Sequence, residues 1–237
     1  MTLSLFPDED GHALVFDTET TGCTEPEIIE AAWLRLDTPN HLTVLERFEQ
    51  RYRPTQPITL GALATHHIYD EELAECAPSA TFSLPDHTSY LIGHNVDYDW
   101  QVAGKPDVKR ICTLALSRYL LPGLDSYSQS AVLYHTYRTQ AREWLRDAHS
   151  ALADVHNCLR ILDYLLKHTA SPAPQTWEAL WDLSEHARVP LVMPFGKHKG
   201  QPIAQVPMDY RNWLLRQDDV NPYLVKALQQ SPVPDMA

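Results

Sequence analysis

No apolar run in this 237-residue chain approaches the roughly 20 residues needed to span a bilayer. The first twelve residues have no basic cluster and instead carry Asp8, Glu9 and Asp10, the opposite of a secretory signal. Cysteine is scarce. Cys23, Cys76, Cys112 and Cys158 lie far apart with no C-x-x-C pair, which argues against a structural zinc site or a disulfide framework and suits a reducing cytoplasm. Basic charge is in deficit, with 19 Lys and Arg against 31 Asp and Glu and a net charge of −12. That balance weighs against tight binding of duplex DNA through its phosphates. It leaves room for an enzyme that acts on strand ends, because such an enzyme needs only a local groove. Carboxylates that hold divalent cations also present positive charge once loaded.

What is present reads as alternating strands and helices. Apolar or alternating stretches at 13–16, 28–36, 43–52, 89–92 and 108–112 predict five strands. A loop at 56–64 is expected to lead into a short helix, with further helices at 96–103 behind Asn95, at 113–121, at 128–137 and at 149–168. In the last of these, Leu152, Val155, Leu159, Leu162 and Leu166 recur at helical spacing as a buried stripe. Such an order predicts an α/β fold, a sheet flanked by helices. The segment 169–176, with Ser171, Pro172 and Pro174, reads as a linker. The expected organisation is a main domain at 1–169, a linker and helix at 170–187, and a small, mostly helical module at 188–230. Helices are expected there at 210–217 and 222–229, with a frayed tail at 231–237. Within 188–229 the cations Arg188, Lys197, Lys199, Arg211, Arg216 and Lys226 outnumber Asp209, Asp218 and Asp219 by three, so the module is basic and the remainder strongly acidic.

Three segments carry chemistry. The first is Asp17-Thr18-Glu19-Thr20-Thr21-Gly22, entered from an apolar strand. Residues two apart in a strand share a face, so Asp17 and Glu19 project together and offer hard oxygen ligands to Mg²⁺ or Mn²⁺. Alone, such a pair is more often a solvated strand edge. The second is Gly93-His94-Asn95-Val96-Asp97-Tyr98-Asp99, between a strand and a helix. Here Asp97 complements the helix dipole and Asp99 is the candidate ligand, while His94 and Asn95 fix the turn. The third is His149-Ser150-Ala151-Leu152-Ala153-Asp154, where Asp154 stands off the leucine stripe and small alanines allow close packing. Alone, His149 reads as a surface residue near a helix start.

Taken together and in this order, the three segments resemble the DEDD exonucleases of RNase H-like fold. His149 lies five residues before Asp154, which places the resemblance in the histidine (DEDDh) subclass and nearest its exodeoxyribonuclease X-like branch. The likeness extends to 57–68, ending Ala64-Thr65-His66-His67-Ile68. It also takes in Cys112-Thr113-Leu114, Leu120-Leu121-Pro122-Gly123-Leu124, and the block from Phe195-Gly196-Lys197-His198-Lys199-Gly200 to Trp213-Leu214. Cys23 and Thr24 depart from it, standing where relatives carry a larger apolar residue.

The resemblance implies a mixed five-stranded sheet and a metal-dependent 3′→5′ exonuclease that releases nucleoside monophosphates from DNA in repair or end processing. Asp17, Glu19, Asp99 and Asp154 would hold two Mg²⁺ (or Mn²⁺), and His149 would act as base, with activity rising through the histidine titration. Thr18, Thr20 and Thr21 would recognise the terminal hydroxyl. His66 and Tyr98 would contact sugar or base, and Lys105, Lys109 and Arg110 would contact phosphate. The partner would be single-stranded or end-frayed DNA, with no membrane and with a homodimer as an option. An RNA-trimming enzyme of ribonuclease T type and a proofreading subunit held to a polymerase by the basic module are the alternatives.

Overall fold

A computed structural model describes residues 11–147, 149–168 and 170–230. The acidic residues 8–10 and the tail expected to fray at 231–237 lie outside the described residues. By its contacts the chain divides into two compact units, Met1–Ser184 and Glu185–Ala237.

The larger unit is built on one sheet. Its strands are β1 (His12–Thr20), β2 (Ile28–Leu36), β3 (Val44–Arg53), β4 (Ala77–Pro78), β5 (Thr88–Gly93) and β6 (Lys109–Cys112), in the order β4-β3-β2-β1-β5-β6. The first three form an antiparallel meander, while β5 and β6 run parallel to β1. The expected five strands are all present. The sixth, β4, is a two-residue strand ending in proline, which pairs with Tyr52 and Arg53. β1 is the centre of the sheet. Ala13, Leu14, Val15 and Phe16 are all buried, as a central strand covered on both faces requires.

The helices of this unit are α1 (Leu60–His66), α2 (Asp97–Val102), α3 (Thr113–Leu120), α4 (Gln129–Tyr137), α5 (Thr139–Trp144), α6 (Ala151–His168) and the first part of α7 (Trp177–Ala187). α6 lies across β1 and β2 and is flanked by α3 and α4. Its buried residues are Ala151, Val155, Asn157, Cys158, Ile161, Leu162, Leu165 and Leu166, whereas Leu152 and Leu159 are only half-buried. The buried stripe is therefore turned by about one residue from the leucine pattern. Small Ala151 and Cys158 face the sheet, and Asp154, three residues after the one and four before the other, sits at the border of that inward face rather than off it. α7 begins against the sheet: Trp177 packs near Tyr90 and Ser184 Oγ accepts from Cys112 N at 2.9 Å. The larger unit thus extends through the segment expected to separate two domains.

The smaller unit has its own core of Met193, Ile203, Val206, Leu214, Leu224, Ala227 and Leu228. It contains a hairpin-like turn closed by the Val192–Pro202 bridge and the helices α8 (Met208–Leu214) and α9 (Pro222–Gln230). α8 starts two residues before the expected helix and ends three before it. Among the described residues no helix is long and apolar enough to cross a membrane.

Candidate active site

The first motif does not follow β1 but lies within it. Asp17 pairs with Ala32 and Glu19 with Glu30 across the antiparallel ladder, so three carboxylates share the face covered by α6. The ladder shifts register between Glu19 and Thr20, where the strand leaves the sheet. Asp154, in the first turn of α6, comes down on this face. Ligand oxygens of Asp17, Glu19 and Asp154 all lie within 4.8 Å of one another.

Asp99 arrives from the other side of β1. Pairing with β5 ends at Val15 and Ile92, so β1 outruns its parallel neighbour. Beyond that point Asp99, in the first turn of α2, takes the place of a strand: its Oδ1 accepts from Thr18 N at 3.0 Å and from Thr18 Oγ1 at 2.8 Å. The N-cap position of α2 is Val96, and Asn95 occupies the left-handed turn before it with φ 75°. His94 is held by Thr113 Oγ1 at 3.0 Å and the Tyr127 carbonyl at 2.8 Å, a turn-fixing role. Burial lowers its pKa to about 4.

Electrostatics mark the cluster. Burial, then the charges of Asp99, Asp154, Glu19 and Glu30, holds the Asp17 carboxyl well above its ordinary range. Burial and the neighbouring Asp154, Glu30 and Asp99 push Glu19 up to about 8. Burial raises Asp99 to about 7 against the opposing Thr18 hydrogen bonds, and it raises Asp154 as well. Carboxylates crowded in this way are stable as anions only with a compensating cation, and an all-oxygen donor set fits a hard divalent one. His149 is exposed in a left-handed conformation (φ 70°), and its backbone N donates to Asp154 Oδ2 at 3.1 Å.

Glu30 escaped the sequence reading. It is 2% exposed, accepts from Arg51 Nε at 2.9 Å through Oε1, and accepts from Ala151 N at 2.9 Å through Oε2. It thereby caps the helix that carries Asp154 and stands beside Glu19. The available signal was a single acid in the otherwise apolar run Ile28-Ile29-Glu30-Ala31-Ala32-Trp33.

Beside Glu19 opens a pocket of about 400 Å³ lined by residues that include Thr18, Thr20, Gly22, Cys23, His66 and Tyr98. Tyr98 Oη bonds Thr20 Oγ1 at 2.6 Å and donates to the Gly22 carbonyl at 3.1 Å, fixing the wall of the pocket. His66 is buried, its Nδ1 accepting from Ile68 N at 3.0 Å, and burial lowers its pKa. Thr21 lies outside the lining; its hydroxyl accepts from Glu27 N at 3.0 Å and holds the turn.

The expected phosphate contacts are placed differently. Lys109 pairs in register with Tyr90, and Tyr90 with Ala13, so Lys109 is level with a point four residues before Asp17, about 13 Å along the strand. There it forms an ion pair with Glu178 and lies 4.4 Å over the Trp181 ring. Its assignment to substrate phosphate is corrected accordingly. Arg110 donates to Asp97 at 2.6 Å and stacks 4.0 Å over Trp100, which also removes it from that role. Lys105 is exposed in the left-handed turn after α2, outside the pocket lining.

Comparison with known proteins agrees with this geometry. Residues 14–162 match the RNase T family, described as exonuclease. Residues 183–229 match a second family, named for a quorum-sensing-regulated virulence factor. Exodeoxyribonuclease 10 of Escherichia coli K12 is 28% identical over 218 residues, covering 89% of this chain and 94% of that protein. A solved structure of exonuclease X in complex with 5′ overhanging duplex DNA aligns with TM-score 0.50 and 23% identity over 71% of this chain and 99% of the other. The zinc-bound form of the exonuclease I–single-stranded DNA complex from E. coli aligns with TM-score 0.54 and 16% identity, over 78% of this chain and 46% of that one.

Proposed function

The chain belongs to the RNase T exonuclease family, a metal-dependent family, and on that premise we propose that it removes nucleoside monophosphates one at a time from the 3′ end of DNA. The observation that carries this reading is the convergence of Asp17, Glu19 and Asp154 ligand oxygens within 4.8 Å, with Asp99 held beside Asp17 by Thr18 N and Oγ1. Asp17, Glu19, Asp99 and Asp154 are the residues to hold two divalent cations, Mg²⁺ or Mn²⁺. When bound, such cations activate water as Lewis acids and neutralise charge on the leaving oxygen.

The protein groups do the rest. Asp17 lies on the same face of β1 as Glu19 and opposite Asp154 of α6, and would hold the cations together with them. Thr18 clamps Asp99 through Oδ1, so that Oδ2 is the oxygen to offer. His149 is tethered to Asp154 by its backbone, which leaves the imidazole free to swing to the scissile phosphate and accept the water proton at a ring nitrogen. The pocket formed by Glu19, Thr20, Gly22, His66 and Tyr98 is of a size to take the terminal nucleoside. The names of the similar proteins support DNA as substrate; a role in repair or end processing in the cytoplasm is part of this reading.

The test is digestion of a 5′-labelled single-stranded DNA and its RNA counterpart in Mg²⁺ by the wild type and by Asp17→Ala. A ladder shortening from the 3′ end, faster on DNA and absent in the variant, is the expected result. A faster RNA ladder transfers the enzyme to RNA trimming, and no ladder on either strand overturns the catalytic reading.

A further inference from the structure

The smaller unit carries a surface that the catalytic reading does not use. Six cations of the larger unit are paired with acids: Arg35 with Glu46, Arg47 with Glu49, Arg51 with Glu30 and Glu72, Lys109 with Glu178, Arg110 with Asp97, and Lys167 with Asp163. In the smaller unit, Lys197, Lys199 and Arg216 are exposed, and among the described residues no carboxylate pairs with them. Lys197 and Lys199 lie two residues apart on one turn.

Exposed aromatic rings lie among them. Phe195 is 45% exposed and Trp213 is 47% exposed. Tyr210 connects the two: its ring lies 4.7 Å from His198 and 5.4 Å from Trp213. The turn holding Phe195 is pressed onto the same ring. Gly196 has φ +73°, and a Cβ there would meet Tyr210 Oη at 2.6 Å, so a glycine is required for the approach. Lys197 and Lys199 follow Phe195 on this turn, which is braced by Lys199 N donating to the Gly196 carbonyl at 3.1 Å. Arg216 N donates to the Trp213 carbonyl at 3.2 Å, so Arg216 stands one turn after that ring.

We propose that this face, formed by Phe195, Trp213, Lys197, Lys199 and Arg216, is a second binding site for single-stranded nucleic acid. It would bind the strand independently of the pocket that takes the 3′ end. Flat rings interleaved with unneutralised cations fit a polyanion with exposed bases, because stacking is tolerant of sequence and the cations neutralise phosphates. A protein partner's apolar patch would leave the three cations desolvated or unpaired, which disfavours it. The proposal rests on the reading that the chain digests nucleic-acid strands.

The full chain is used, in EDTA so that nothing is cleaved. Binding of a 5′-labelled oligothymidylate of about 20 nucleotides is followed by fluorescence anisotropy across a salt series. Lys197→Glu with Lys199→Glu is expected to weaken binding about ten-fold or more. It should also flatten the slope of log K against log salt by about 1.4, the value for two phosphate contacts on a single strand. Trp213→Ala is expected to weaken binding about ten-fold with the slope unchanged, since stacking carries no counterion. In a separate assay with Mg²⁺, all variants should hydrolyse a chromogenic ester of thymidine monophosphate at the wild-type rate. Both lysines are exposed, so the double variant keeps the fold, as a thermal melt verifies. Wild-type affinity and slope in both variants overturn the proposal. So does a change in molecular mass by light scattering on Trp213→Ala with strand binding intact, which reassigns the face to a protein contact. Failure of the wild type to hydrolyse the ester, with strand binding lost in the variants, removes the catalytic reading and leaves this site standing.

Discussion

The carboxylate cluster makes a prediction of unusual sign: in the absence of metal, Asp17→Asn stabilises the protein. Ligand oxygens of Asp17, Glu19 and Asp154 lie within 4.8 Å of one another. Two full charges at that separation repel by about 3–4 kcal/mol at an effective dielectric constant of about 20. The repulsion is partly relieved by protons, because Glu19 is pushed up to about 8 and Asp99 to about 7. The net gain from removing one charge near pH 8 is therefore about 1–2 kcal/mol. That corresponds to a rise in Tm of about 2–8 °C for a domain of this size.

The pH dependence has a fixed sign. A carboxyl whose folded pKa is raised favours the folded state while protonated, so its stabilisation is complete below the ordinary value of 4.5 for Glu19 and is lost as pH climbs to about 8. The metal-free wild type should lose stability over that interval. Asp17→Asn should lose less, so the two should converge only near pH 4, close to the ordinary value of 3.8 for Asp17. The assay is a set of thermal melts in EDTA and in Mg²⁺ at both pH values. Saturating Mg²⁺ at about 100 times Kd should add about 2.7 kcal/mol to the wild type and little to the variant. A variant that melts at or below the wild type near pH 8 in EDTA would refute the electrostatic account.

Glu30→Gln should reduce stability by about 1–3 kcal/mol, since the buried bridge from Arg51 to Ala151 N loses its charge, and should lower kcat by loosening the first turn of α6; urea melts and steady-state rates check both. Thr18→Val removes the 2.8 Å hydroxyl bond to Asp99 while keeping the backbone one. Metal affinity measured by titration calorimetry should fall about ten-fold, as for other groups that orient a ligand, with the melt in EDTA nearly unchanged. His149→Ala should slow single-turnover cleavage about 10²- to 10⁴-fold and abolish the rise in rate between acid and neutral pH; a retained pH profile would remove the histidine from proton transfer.

The candidate site was legible where local period decides geometry. Asp17 and Glu19 share a face because β1 continues through them, and Asp99 and Asp154 sit in first helical turns as their flanking patterns require. What was lost depended on register, which a single sequence does not encode. Lys109 looked well placed beside a strand, but the parallel pairing of β6 with β5 sets it at the far end of the sheet, where Glu178 takes its charge. The stripe of α6 was drawn through its leucines, yet a helix lying close on β1 and β2 selects Ala151 and Cys158 for contact and leaves Leu152 and Leu159 at the flanks. That rotation is what brings Asp154 over Asp17. β4 is too short to leave a pattern. α5 follows directly on Arg138, whose φ of 43° breaks α4, and nothing in Thr136-Tyr137-Arg138-Thr139 announces that break.

The net charge of −12 looked like an obstacle to a strand-digesting enzyme, and the distribution of charge removes it. Four of the acids, Asp17, Glu19, Asp99 and Asp154, converge at one spot and cannot all remain ionised there without a cation. Glu30, the fifth, is already committed to Arg51 and to the amino end of α6. Much of the acidity therefore has a structural address. Once two divalent ions are held, four negative charges at the site meet four positive ones, and the approach to the pocket no longer repels a phosphodiester. Some surface acids elsewhere, such as Glu46, Glu49 and Glu178, are paired with arginine or lysine, which limits their reach in physiological salt, where the field of a charge decays over about 8 Å. In the smaller unit, the proposed strand site would set Lys197, Lys199 and Arg216 against phosphates.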